Sequence, residues 1–214
     1  MPKALIFDFD GLIVDTETVI YDSWAEIYEK NGQILELNTY KNCVGSDFEK
    51  FHPGIELEKR TGKKFNWATI DAEREKLIRK RLEQQKERTG IRHFIECAKA
   101  KGLDLAIASS SSRNWVLGWI EKLELREYFS AFANRDDVQK IKPDPELFLT
   151  AANLLGIHPR EALILEDSEN GLKAATAAGI PCAIITNPIT AGGDFSEAVI
   201  VAESFTDERL KKLF

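Results

Sequence analysis

Residues 4–17 read ALIFDFDGLIVDTE, and this stretch decides the fold. It opens with the apolar run Ala4–Phe7, which has the length and composition of a fully buried strand, and passes directly into Asp8, Asp10 and Gly11. Alternate side chains of an extended chain share a side, so Asp8 and Asp10 are expected to project together. Two carboxylates held this close repel each other unless one is protonated or a cation lies between them. The stretch therefore predicts a buried strand with two functional acids at its carboxyl end.

The rest of the chain alternates between two patterns. Short apolar runs bounded by turn residues predict further buried strands at Leu103–Ala108, Ala131–Ala133, Ala162–Leu165, Cys182–Ile185 and Ala198–Val201. Between most of them lie amphipathic helix patterns with the i, i+3, i+4, i+7 spacing, as in residues 91–98. This alternation predicts an α/β fold with a doubly wound, Rossmann-like parallel sheet.

Residues 16–88 break the alternation, because they contain no clear strand. Apolar residues at helical spacing predict one helix around residues 20–28 and a long, highly charged one around residues 70–82. The charge run at residues 73–88 is best interpreted as a solvated helix face. We therefore predict an α/β core formed by residues 1–15 and 89–214, with an all-helical cap domain inserted at residues 16–88.

The composition excludes several classes of partner. The 214 residues include 29 Lys and Arg against 35 Asp and Glu, a formal net charge of −6. An acidic chain lacks the basic footprint that nucleic-acid binding or an anionic membrane surface requires, so neither is expected as a partner. The three cysteines form no CxxC pair and the N-terminus has no signal-peptide pattern. We predict a cytoplasmic protein, with a monomer as the default state.

A second acidic pair, Glu166-Asp167, follows the predicted strand 162–165. Asp167 could simply cap the helix that follows, as aspartates often do. In a parallel sheet, however, this pair reaches the same edge as Asp8 and Asp10, where open α/β sheets bind ligands. Carboxylates from two strands would then surround one hard cation, and Mg²⁺ prefers such oxygen ligands.

Two further segments are candidates for holding a phosphate group. The serine run 109–112 follows a predicted strand, where hydroxyls and backbone N–H groups can bind phosphate oxygens, although serine runs are also common in loops. Lys142 lies in the segment 140–145, KIKPDP, where Pro143 disfavours helix and presents the lysine from extended backbone. A lysine is often only a surface residue, but beside carboxylates and a phosphate it offsets charge and donates hydrogen bonds.

Together the four segments indicate phosphoryl transfer. A carboxylate attacks phosphorus and forms an aspartyl-phosphate, while Mg²⁺ and a lysine offset the negative charge. A second acid protonates the leaving alkoxide and then activates water.

On these residues the chain resembles the haloacid dehalogenase superfamily, and within it the small phosphatases and phosphosugar mutases with a helical cap. The resemblance extends over essentially the whole chain. Four segments in the same order carry it: residues 8–17 (DFDGLIVDTE), 108–111 (ASSS), 142–145 (KPDP) and 165–171 (LEDSENG). The resemblance implies that Asp8 is the nucleophile and a Mg²⁺ ligand. Asp10 would be the general acid and base, with its backbone carbonyl also on the metal.

The resemblance assigns roles to the other segments as well. Asp167 would bind Mg²⁺, with Glu166 beside it as a direct or water-mediated ligand. Ser109 would bind the transferring phosphoryl group, with Ser110 beside it, and Lys142 would orient the nucleophile and the phosphate. The expected function is thus Mg²⁺-dependent hydrolysis of a small-metabolite phosphomonoester, such as a sugar phosphate, with the cap closing over the site.

Alternatives within the superfamily remain open. The β-phosphoglucomutases that the chain resembles carry a histidine and an arginine in the cap, where this sequence has Ile20 and, in a loose alignment, Phe48. Phosphatase activity is therefore favoured over mutase activity. Dehalogenation is disfavoured because attack on a C–Cl carbon gives Asp10 no role. A phosphonatase would need a Schiff-base lysine in the cap, and nothing distinguishes one among Lys41, Lys50, Lys63 and Lys64.

An alternative from another class is a signalling receiver domain, which also combines an aspartate, a metal and a lysine on a doubly wound sheet. The long helical insert argues against it.

Overall fold

The computed structural model of the protein describes residues 1–45 and 51–214, so Phe48 and Lys50 lie outside the described residues. Within these ranges one sheet has six strands: β1 (Ala4–Phe7), β2 (Asp104–Ser109), β3 (Ala131–Asn134), β4 (Ala162–Glu166), β5 (Cys182–Ile185) and β6 (Ile200–Ala202). Neighbouring strands pair in parallel in the order β3-β2-β1-β4-β5-β6. The predicted α/β class and doubly wound parallel sheet are confirmed, with strand ends that differ from the predicted ones by at most two residues.

The described residues also contain eight α-helices: α1 (Glu17–Lys30), α2 (Leu37–Tyr40), α3 (Pro53–Thr61), α4 (Trp67–Leu82), α5 (Ile91–Ala100), α6 (Arg113–Lys122), α7 (Glu146–Leu154) and α8 (Glu169–Ala178). Short 3₁₀ turns lie at Lys41–Cys43, Arg126–Tyr128, Arg135–Asp137, Pro159–Glu161 and Leu210–Lys212. None of the helices in the two described ranges combines the length and the apolar character needed to cross a membrane.

Helices cover both faces of the sheet because successive side chains of a strand point to opposite faces. Phe7 of β1 packs edge-on against Phe94 of α5, in a cluster that also contains Leu5. Ile6 points the other way, into a second cluster that includes Phe148 of α7. The central strand is therefore buried on both sides, as its uniformly apolar sequence predicts.

The strand order places several strand ends at one point. The chain crosses from β1 to β2 on one side and reaches β4 on the other, so β1 lies where the order reverses. Such a switch point is where open α/β sheets bind ligands. Asp8 follows β1, Ser109 ends β2 and Glu166 ends β4, so three of the predicted site residues meet at this edge.

Helices α1 to α4 form a separate unit between β1 and α5. They surround a third apolar cluster, which contains Trp24, Tyr28 and Leu57. The two connections to the sheet run side by side: Val14 pairs with Glu87, and the backbone N–H of Arg88 donates to the carbonyl of Ile13 at 2.8 Å. We propose that this unit is the cap domain predicted for residues 16–88.

Candidate active site

Asp8 and Lys142 form the centre of the site. The backbone N–H of Asp8 donates to the Leu165 carbonyl at 2.9 Å, which extends the strand pairing by one residue and fixes the carboxylate at the sheet edge. Lys142 Nζ donates to Asp8 Oδ1 and, at 2.8 Å, to Glu166 Oε1. The lysine is only 1% exposed, although it comes from the loop between β3 and α7. The loop lysine predicted from the KIKPDP segment is thus a buried cation between two acids.

The surroundings of Lys142 keep it charged. Its ammonium lies 4.7 Å from the centroid of the Phe148 ring, a favourable position for a cation. Burial alone would lower the pKa of Lys142, but the charges of Asp8 and Glu166 outweigh it and raise that pKa. The lysine is therefore a permanent positive charge at the site.

Asp8, Glu166 and Asp167 bring carboxylate oxygens within 4.8 Å of one another, and all three residues are buried. Burial raises the pKa of Asp8 well above its usual value; Lys142 opposes this shift, and repulsion from Glu166 and Asp10 adds to it. Burial and the charges of Glu166 and Asp8 likewise raise the pKa of Asp167. A cation between these groups would relieve that repulsion, so the donor set fits a hard metal ion such as Mg²⁺.

Glu166 differs from the other two acids because its oxygens are already occupied. Oε2 accepts the backbone N–H groups of Asp167 and Ser168, both at 2.7 Å, and the Ser168 hydroxyl at 3.0 Å. A Cβ atom at Gly171 would come within 1.9 Å of this carboxylate, so the glycine in the LEDSENG segment allows helix α8 to approach. Glu166 therefore holds Lys142 and the start of α8 in place.

A side chain that the sequence did not predict orients Asp167. Asn187 Nδ2 donates to Asp167 Oδ2 at 2.7 Å and to the Gly11 carbonyl at 3.2 Å. Asn187 Oδ1 in turn accepts the N–H groups of residues 189 and 190, which fixes the amide. Gly11 has φ +80° and no room for a Cβ beside Asp167, so only glycine suits this contact. Asn187 follows β5, where no motif in the sequence indicated a site residue.

Asp10 lies in surroundings of another kind. Its Oδ1 accepts the Thr16 hydroxyl and the indole N–H of Trp115, both at 2.9 Å. Its Oδ2 accepts the Ser111 hydroxyl at 2.6 Å and the Ser109 hydroxyl at 3.4 Å. The Asp10 carboxylate is not part of the group of acids that could hold a metal, and its role as a ligand through the backbone carbonyl remains a prediction.

The two serines predicted to bind phosphate face different ways. Ser109 is 1% exposed, and its Oγ also accepts the Ser111 N–H at 3.0 Å, so it lies beside Asp10 at the end of β2. The Ser110 hydroxyl instead donates to the Gly45 carbonyl of the helical unit at 3.2 Å. Ser109 thus lies with the other predicted site residues, whereas Ser110 bonds the loop that follows α2 in the helical unit.

The helical unit covers the acids directly. Glu17, at the start of α1, is buried, and its carboxylate makes no hydrogen bond with the described residues. Burial and the charges of Asp10 and Asp8 raise the pKa of Glu17 to about 8. The loop after α2 rests on the core, where Asn170 Nδ2 donates to the Val44 carbonyl at 2.8 Å.

Comparison with known proteins agrees with this architecture. The model of a family described as haloacid dehalogenase-like hydrolase matches residues 5–185. The chain is 40% identical over 190 residues to the "Putative phosphatase YhcW" of Bacillus subtilis (strain 168), covering 89% of this chain and 86% of that protein. It is 29% identical over 180 residues to the "Phosphorylated carbohydrates phosphatase" of Thermotoga maritima, covering 83% and 82%.

A solved structure is similar over nearly the full length. The crystal structure of CbbY from Rhodobacter sphaeroides in complex with phosphate matches with a TM-score of 0.73 and 26% identity, covering 97% of this chain and 96% of that one. The resemblance that the sequence motifs indicated is therefore confirmed, and membership of a hydrolase family sets the receiver-domain alternative aside. The chain belongs to the haloacid dehalogenase-like hydrolases, and it is a hydrolase of phosphoric monoesters.

Proposed function

We propose that the protein is a Mg²⁺-dependent phosphatase that transfers the phosphoryl group of a small-metabolite monoester first to Asp8 and then to water. One observation carries the proposal: the buried carboxylate of Asp8 bonds a permanent cation, Lys142, and lies close to two further acids, while Asp10 is held by neutral donors.

Asp8 is the nucleophile in this proposal. Lys142 bonds one of its oxygens and fixes the carboxylate, which leaves the other oxygen without this bond and available to attack phosphorus. The lysine also offsets the repulsion between a carboxylate and an incoming phosphate dianion. Attack forms a bond between Asp8 and phosphorus as the bond to the leaving oxygen breaks.

Asp8 and Asp167 would hold the metal, with Glu166 close enough to contact it directly or through water. When bound, Mg²⁺ supplies positive charge to the phosphoryl oxygens and orients them for in-line transfer. Asn187 keeps Asp167 in position for this task.

Asp10 is the general acid and base. It donates a proton to the leaving oxygen in the first step. In the second step it takes a proton from the water that attacks phosphorus, as the bond between phosphorus and Asp8 breaks. Ser109, adjacent to Asp10, would bind the phosphoryl group, and Ser110 would do so only if the cap contact at Gly45 opened.

The substrate we propose is a sugar phosphate or a similar small metabolite. The relative from Thermotoga maritima is named for phosphorylated carbohydrates. Hydrolysis is favoured over the mutase alternative because both relatives are named phosphatases and Ile20 cannot act as a histidine would. The cytoplasmic location and the monomeric state stay predictions from the sequence.

The test is turnover of p-nitrophenyl phosphate with Mg²⁺. Asp8→Asn should lower kcat by at least about 10³-fold, because the nucleophile is removed. Asp104→Asn, at the exposed start of β2, is the matched control and should keep wild-type turnover. Asp8→Asn with near-normal turnover would remove Asp8 as the nucleophile.

A panel of sugar, nucleotide and small organic phosphates, assayed by phosphate release, then identifies the substrate class. To separate the mutase alternative, the enzyme is given β-glucose 1-phosphate with a trace of bisphosphate. Glucose 6-phosphate without free phosphate would favour a mutase.

A further inference from the structure

Trp115 is placed to control Asp10. It lies in the first turn of α6, and its indole Nε1 donates to Asp10 Oδ1 at 2.9 Å. Its ring packs edge-on against Trp119 at 6.0 Å between centroids and contributes to the core beneath the site. The N–H group therefore comes from a ring that packing holds in place.

The other donors to Asp10 are of a different kind. Thr16 and Ser111 contact the carboxylate through hydroxyls, which rotate and can either donate or accept a hydrogen bond. An indole nitrogen donates only, and it cannot turn away without moving the whole ring. Trp115 is thus the donor whose direction is fixed by the fold.

This difference separates the two oxygens of Asp10. On Oδ1 the Trp115 N–H can only donate, whereas the Thr16 hydroxyl beside it can rotate. A proton on Oδ2 would face the hydroxyls of Ser111 and Ser109, which can reverse and accept. The indole therefore fixes Oδ1, and Oδ2 lies beside Ser109, the serine expected to hold the phosphoryl group.

We propose that Trp115 is a positioning residue for Asp10: its indole N–H holds Oδ1, so that Oδ2 is the oxygen that delivers the proton to the leaving oxygen. That proton moves from Oδ2 to the leaving oxygen as its bond to phosphorus breaks and the bond to Asp8 forms, and Asp10 is left ionised. The proposal rests on the proposed function, since it takes Asp10 as the general acid.

The test compares leaving groups. Trp115→Phe keeps an aromatic ring, although a smaller one, and removes the N–H. Substrates are p-nitrophenyl phosphate, whose phenolate leaves without a proton, then phenyl phosphate, then the alkyl phosphate that the wild type hydrolyses fastest. The value of kcat/KM for the alkyl ester should fall about 10- to 100-fold, the effect of one hydrogen bond to a charged group. That for p-nitrophenyl phosphate should stay within about 3-fold, with phenyl phosphate between them.

The fall for the alkyl ester should be in kcat with KM unchanged, because Asp10 acts on the departing oxygen rather than on binding. Trp119→Phe is the matched control: it lies on the next turn of α6 and touches the Trp115 ring, but makes no bond to Asp10 within the described residues. Trp119→Phe should change kcat/KM for all three substrates by the same factor or leave it unchanged.

Equal losses for all three substrates in Trp115→Phe would overturn the proposal and leave Trp115 with a packing role only. If Trp115→Phe folds poorly, benzothienylalanine at position 115 replaces the N–H by sulfur at nearly equal volume, and the same comparison decides. Failure of the proposed function gives a distinct result, because Asp8→Asn would then keep its turnover whatever Trp115 does.

Discussion

Asp8 and Asp10 are two residues apart, yet their carboxylates lie in opposite kinds of surroundings. Asp8 is enclosed by charges: a buried lysine and two further acids. Asp10 is surrounded by hydroxyls and an indole, which carry no charge. In the proposed function, this difference explains how one strand end could support two chemical roles. Charged neighbours suit a group that must meet a phosphate and a metal, and neutral donors suit a group that must gain and lose a proton.

The largest expected effect comes from removing the positive charge of Lys142, which lies beside Asp8. Lys142→Met leaves Asp8 and Glu166 buried without their cation, and the free energy of unfolding should fall by about 3–5 kcal/mol. Turnover should be lost as well. Urea unfolding of the metal-free protein measures the change.

Lys140→Met is the control for that variant. Lys140 is exposed, its Nζ lies 3.9 Å from Asp144, and its replacement should change stability by less than about 0.5 kcal/mol. A Lys142→Met protein as stable as the control would show that the buried ion pairs have little structural importance.

Metal binding is a second test of the difference between the acidic group around Asp8 and the neutral surroundings of Asp10. Mg²⁺ at 100 times its dissociation constant should stabilise the protein by about 2.7 kcal/mol, seen as a higher Tm than in EDTA. Asp167→Asn should lose most of this shift, whereas Asp10→Asn should keep it, because the Asp10 carboxylate is outside the metal group. Equal shifts in both variants would contradict the assignment.

Glu17 tests whether the charges of Asp10 and Asp8 affect the start of helix α1. Its pKa is about 8 in the folded protein against 4.5 for an ordinary glutamate, so between these values the native state holds a proton that the unfolded chain releases. Stability is therefore lost as the pH rises from 4.5 to 8, by up to about 1.4 kcal/mol per pH unit from this group.

Glu17→Gln should remove the contribution of Glu17 and give a flatter pH dependence of the unfolding free energy in metal-free buffer. Glu26→Gln, farther along α1 and paired with Arg81 on the surface, is the control and should keep the wild-type slope. Identical slopes for all three proteins would mean that Glu17 is ionised across this range.

The smallest expected effect concerns a single neutral donor at Asp10. Thr16→Val removes the hydroxyl that bonds Oδ1 and should lower kcat for an alkyl phosphate by up to about 10-fold, equivalent to about 0.5–1.5 kcal/mol. KM should not change. Thr18→Val, which loses a bond to Asp15 instead, should leave kcat within about 2-fold; a matching loss there would point to a disturbed helix start.

Much of this arrangement could be predicted from local sequence, because strand ends in a parallel sheet share an edge. The apolar runs before Asp8 and Glu166 predicted two strands, and the acids at the ends of these runs were therefore predicted to lie at the sheet edge. Lys142 was predicted from its loop, but its burial was not, because burial depends on the contacts that the lysine makes with Asp8 and Glu166 in the folded protein.

The residues that escaped prediction act across long distances in sequence. Trp115 is 105 residues from Asp10, and a tryptophan in a helix pattern indicates core packing rather than a hydrogen bond to an acid. Asn187 is 20 residues from Asp167 and follows β5 without any recognisable motif. Only the packed sheet brings these side chains to the site, so no spacing rule could have found them.

Arg88 lies where the second connection returns from the helical unit, and its guanidinium donates to the carbonyls of Gly11, Ile185 and Thr186. With the pairing of Val14 and Glu87, it ties both connections to the sheet beside the acids. These contacts use backbone carbonyls and residues outside helices α1 to α4, so they do not depend on the side chains of those helices. That separation is a physical basis for evolvability: substitutions in helices α1 to α4 can alter substrate preference without disturbing the sheet edge that carries the acids.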